Sequence, residues 1–93
     1  MFLSEIRKAK DLFDKQQDAR EEADTEKKDS AWDEYWDYQK KISRENGISW
    51  SLHSVIDSIY YNRNVRAKDR FKVLIKVLKA MNIDVVDDEK ESK

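Results

Sequence analysis

Apolar residues recur at three- and four-residue intervals along most of the chain, the spacing of one face of an α-helix. Ser4 is suited to capping, and Ile6, Ala9, Leu12 and Phe13 follow it at helical spacing, which predicts a first helix from residue 4 to about 27. From Asp14 to Lys28 the only apolar positions are Ala19 and Ala23, so the first half of this helix is expected to dock and the second half to be exposed or frayed. Asp29-Ser30-Ala31-Trp32-Asp33-Glu34 reads as a helix start, with Ser30 as cap and two acids at the positive end of the dipole. That second helix is expected to run to Asn46 with Ala31 or Trp32, Tyr35 with Trp36, Gln39 and Ile42 along its inner stripe.

Gly47 can take the left-handed conformation that ends a helix at no steric cost, and Ser49 then caps a third helix. Leu52, Val55, Ile56, Ile59 and Tyr60 share its inner side, while Ser51, Ser54, Asp57, Ser58 and Tyr61 face outward. A fourth helix from about 67 to 81 presents Phe71, Leu74, Val77 or Leu78, and Met81 inward, and Asn82 caps its end. Residues 83–86 are β-branched and suit an extended segment; the last seven residues are charged and are expected to be disordered.

Composition narrows this picture. With 93 residues the chain has room for about one domain, and one glycine and no proline leave almost nothing to break helices. The expected fold is all-α, a bundle of four to five helices. Residues 1–29 form an acidic helical N-terminal extension, residues 30–86 the main domain and residues 87–93 a tail. The absence of cysteine excludes disulfides and thiolate metal sites, and a single histidine makes a metal centre improbable. No cofactor is expected. Neither a signal peptide nor a membrane-spanning run is readable, so a cytoplasmic protein with no membrane partner is expected.

Charge changes the picture more. The net charge of −1 conceals three blocks: residues 1–39 carry seven Lys and Arg against twelve Asp and Glu, residues 40–80 ten against three, and residues 81–93 two against five. A clustered positive surface is the electrostatic footprint of a phosphate-binding protein. The carboxylates are interleaved with lysines, no glycine-rich phosphate loop is present, and Ser49 with His53 lacks an orienting third group, so no enzyme is expected. His53 reads as a partly buried histidine with one backbone partner. Trp50 either packs on the preceding helix or stacks on a sugar, a base or a partner protein.

The segment from Gln39 to Asp57, QKKISRENGISWSLHSVID, resembles the helix-turn-helix of the Cro and λ-repressor-like family. The shared features are Gln39, Ile42, the small Ser43, the turn Gly47-Ile48-Ser49, and Ile56. Residues 71–85 look like the closing helix of small antitoxin-type members. The resemblance implies a helix-turn-helix whose third helix enters a major groove, with Ser49, Trp50, Ser51, Ser54, Asp57 and Ser58 at bases or phosphates and Gln39 on a phosphate or bracing that helix. Arg63, Arg66, Lys68 and Arg70 are the basic residues expected on the DNA backbone. Duplex DNA is the expected partner of a homodimeric repressor or antitoxin. The alternative is a phage- or plasmid-type module that engages a toxin or host factor through Trp32, Tyr35 and Trp36, since aromatics are enriched at interfaces.

Overall fold

The computed structural model describes residues 1–21 and 25–89, and the architecture is all-α. Helix α1 (Leu3–Glu21) and helix α2 (Thr25–Glu45) pack along each other over the broadest interface of the molecule. Helix α3 (Leu52–Tyr60) and helix α4 (Arg70–Ala80) close the core from the other side, with a single 3-10 turn (Ala67–Asp69) leading into α4.

One core joins all four helices. Ile6, Ala9, Leu12 and Phe13 of α1 meet Tyr35 and Ile42 of α2, Leu52, Ile56 and Ile59 of α3, and Leu74 and Leu78 of α4. The buried stripe continues along α1 through Gln16, Gln17 and Ala19, so its second half is packed where exposure was expected. Shared burial makes α1 an integral wall of the core and not an extension. The boundary expected at residues 29 and 30 falls inside α2, where Ser30 is an exposed helical residue with no capping role. Packing against α1 favours propagation of the helix over a local stop, because in proteins most helical stability comes from the buried face. Met81, expected inward, is 39% exposed at the end of α4.

Helix ends are closed by specific contacts. At the end of α4, Asn82 has φ +65°, its N–H donates to Lys79 O, and the Ile83 N–H donates to Leu78 O at 3.0 Å. This is a Schellman closure, and Ile83 packs on the core beside it. The start of α1 is closed from the far end of the chain. The Phe2 N–H donates to Glu5 Oε1 and the Leu3 N–H to Val86 O, while the Ser4 N–H and hydroxyl both donate to the Asp88 carboxylate. Three amides that a helix start leaves unmet are thereby satisfied. Ser4 therefore lies inside the first turn, and the cap comes from Glu5 and the C-terminal segment.

Residues 84–89 are extended and held, with Phe2 and Val86 forming an isolated parallel bridge and Arg7 Nε donating to both Glu89 oxygens at 2.9 Å. Disorder was expected from residue 87 onward. Asp88 and Glu89 instead pair with Ser4 and Arg7 of α1, where carboxylates are favoured at the positive end of the dipole, and Asp87 Oδ1 accepts from the Glu89 N–H. Residues 90–93 of that expected tail lie outside the described residues.

Candidate nucleic-acid interface at the α2–α3 junction

The junction is built by a second Schellman closure. Gly47 has φ +66°, its N–H donates to Arg44 O at 3.2 Å, and the Ile48 N–H donates to Ser43 O at 2.8 Å. The Asn46 side-chain amide donates to Ile42 O at 2.8 Å, which satisfies another terminal carbonyl. The chain then crosses to α3, where Ser51 is the N-cap and its hydroxyl accepts from the Ser54 N–H at 3.2 Å. Ser49 was the expected cap. Trp50 packs against the core and carries the chain two residues further before the helix starts. The connection over residues 46–51 is thus longer than the three- to four-residue turn usual in a helix-turn-helix.

Between the end of α2 and the start of α3 lies an open groove of roughly 400 Å³, lined by Gln39, Lys40, Ser43, Arg44, Ile48, Trp50, Ser51 and Leu52. Lys40 and Arg44 are exposed and stand one helical turn apart on α2. The Ser43 hydroxyl has no hydrogen-bond partner and is closed off from solvent. Ser43 entered the sequence reading only as the small residue of the motif, and Lys40 and Arg44 were not singled out there, although their i, i+4 spacing was readable.

Gln39 sits within the length of α2, not at the opening of a helix, and is 6% exposed where it lines the groove. Ser49, Ser51, Ser54 and Ser58 are exposed, and Trp50 and Asp57 are half-buried. Arg63, Arg66 and Lys68 are exposed after α3. Arg70 is half-buried: its guanidinium lies 4.2 Å from the centre of the Tyr60 ring and its Nε is shielded from water without a partner. The planar guanidinium stacks on an aromatic face more readily than a lysine would.

Of the three aromatics expected at a protein interface, Tyr35 is fully buried, Trp36 is half-buried and Trp32 is 38% exposed. Tyr35 cannot meet a partner, because its ring fills the core between Phe13, at 5.3 Å, and His53, at 5.6 Å. Its hydroxyl lies 2.7 Å from His53 Nδ1. His53 is thus partly buried with one partner, but that partner is a side chain and not the backbone. Burial, and secondarily the charge of Asp57, push the Tyr35 hydroxyl well above the ordinary tyrosine range.

Among the described residues no cluster of three His, Cys, Asp or Glu side chains could hold a metal ion, and no helix is long and apolar enough to cross a membrane. No family model, curated protein or solved structure matches the chain.

Proposed function

We propose that this chain is a small DNA-binding regulator that seats duplex DNA against the α2–α3 junction and acts as a cytoplasmic dimer in the manner of a repressor or antitoxin. The observation that carries the reading is the groove in which Lys40 and Arg44 stand one turn apart beside Ser43, Trp50 and the capped start of α3. Two cationic heads at that spacing suit phosphate oxygens, and a helix start adds a favourable dipole. The exposed hydroxyls of Ser51, Ser54 and Ser58 supply donors and acceptors toward base edges. Arg63, Arg66 and Lys68 are exposed and belong to the same block of residues 40–80, which carries ten basic against three acidic residues. A dimer follows from the few phosphate contacts that one copy of this surface can make.

The reading is tested by duplex binding across a salt series. Neutralising Lys40 and Arg44 together should lower the slope of log affinity against log salt by about 2, whatever the DNA sequence. Ser54→Ala should alter sequence preference, and Arg70→Ala should leave the salt slope unchanged. Failure of the protein to bind duplex DNA at about 50 mM salt, where phosphate contacts are strongest, rejects the proposal.

A further inference from the structure

The chain's single glycine follows an asparagine, and the pair Asn46-Gly47 forms the turn that ends α2. The peptide nitrogen that follows an asparagine can attack the carbonyl carbon of its side chain, because the ring so formed has five members. A side chain on the next residue obstructs that approach, and glycine has none. Gly47 is exposed, and nothing beyond its chain neighbours crowds it: an added Cβ would meet no atom within 4 Å. Two contacts restrain the pair. The Asn46 side-chain amide donates to Ile42 O at 2.8 Å, and the Gly47 N–H donates to Arg44 O at 3.2 Å. Both acceptors lie in the last turn of α2, and helix ends fray.

We propose that Asn46 is a site of spontaneous deamidation whose conversion loosens the α2–α3 junction. The Gly47 nitrogen, having given its proton to hydroxide, forms a bond to Asn46 Cγ. The Cγ–Nδ2 bond breaks, and the side-chain nitrogen leaves as ammonia with a proton taken from water. Water then opens the succinimide at either of its carbonyls. One opening leaves an aspartate at position 46, and the other an isoaspartate, in which the main chain runs through the former side chain. Either product carries a carboxylate where the fold uses an amide donor, so Ile42 O loses its partner and faces a second acceptor. The new charge stands at the negative end of the α2 dipole, next to Glu45. The isoaspartate also adds a main-chain carbon inside the loop that the Ile48 N–H closes on Ser43 O at 2.8 Å. The chain passes through that closure on its way to the Ser51 cap of α3, so the crossing of α3 over α2 is no longer held. The other asparagines, Asn62, Asn64 and Asn82, precede Arg63, Val65 and Ile83, whose side chains obstruct the same attack. The modification is a property of the turn and does not depend on the function proposed above.

The test incubates the full native chain in mildly alkaline buffer at body temperature for days, then maps its peptides by mass spectrometry with fragmentation that tells aspartate from isoaspartate. Acid should accumulate at position 46 in both forms, while Asn62, Asn64 and Asn82 stay amides. Asn46→Gln keeps an amide but would have to close a six-membered ring, and it should not convert over the same time. The separated aged chain should melt about 4 °C or more below the unaged one, the shift expected for one lost terminal hydrogen bond. Asn46→Asp should melt at the temperature of the aged aspartate form from the start. The site is overturned if acid appears at position 46 no faster than at the other asparagines. Conversion in urea with none in native buffer also overturns it, because the fold then seals the turn. An aged chain that melts with the unaged one removes the claim that conversion loosens the junction.

Discussion

The Tyr35 hydroxyl lies 2.7 Å from His53 Nδ1 and joins the middle of α2 to the first turn of α3. This is a tertiary hydrogen bond inside an aromatic cluster, with the His53 ring 4.7 Å from that of Trp36 and 6.0 Å from that of Phe13. Tyr35→Phe keeps the ring and removes the hydroxyl. It should cost about 1–2 kcal/mol in urea unfolding, the range for a buried hydrogen bond whose partner is left unmet.

The same hydroxyl sets an alkaline limit. The pKa of the Tyr35 hydroxyl is raised in the fold above the ordinary tyrosine value of about 10, chiefly by burial. The unfolded chain therefore loses this proton first as pH rises, and ionisation favours unfolding. The stabilisation is complete below the unfolded value and declines above it, towards the folded one. Unfolding midpoints measured between neutral and alkaline pH should fall more steeply for the native chain than for Tyr35→Phe; equal slopes would remove the claim.

Two serines compete for the start of α3, and the structure assigns the cap to Ser51. Ser51→Ala should destabilise by about 1 kcal/mol, whereas Ser49→Ala should stay within about 0.5 kcal/mol of the native chain. Thermal melts of the two variants distinguish the assignments. At Gly47 an added Cβ would meet nothing within 4 Å, so Gly47→Ala measures backbone strain alone. A loss of about 1 kcal/mol is expected, with Gly47→Asn costing less.

Gln16→Leu should raise stability by about 1 kcal/mol or more, since an apolar side chain of similar size removes two unmet buried atoms. A destabilised variant would mean that the amide is satisfied in solution.

Asp88 is held below its ordinary value by the hydroxyl and N–H of Ser4. A lowered carboxylate contributes stability above its unfolded pKa and loses it as pH falls through the folded one. The Ser4 amide signal should therefore move with a midpoint below the ordinary aspartate range. Asp88→Asn should abolish that transition.

The inner stripes of α2, α3 and α4 were legible because the pattern of apolar residues reports directly on burial. Ala31, Tyr35, Gln39 and Ile42 occupy α2 as spaced, and Gly47 and Asn82 hold the positive φ their residue types permit. Local signals failed where distant packing outweighed them. Ser30 and Ser49 have the chemistry of caps, but α2 propagates through the first and the packing of Trp50 delays the helix past the second. The second half of α1 looked exposed because Gln16 and Gln17 are polar, and no periodicity of apolar residues marks a buried glutamine. Gln39, Trp50 and Ser51, named from sequence, line the candidate groove, whereas the stacking of Arg70 on Tyr60 leaves no trace in a sequence.

The contact between Ser4 and Asp88 spans 84 residues of chain. Closing so long a loop demands conformational entropy that no neighbouring turn can recover, so this seal forms after the helices have docked. It is also the natural place for opening from the native state, and the amides of Leu3, Ser4 and Val86 should exchange with deuterium sooner than those of Tyr35 or Leu78.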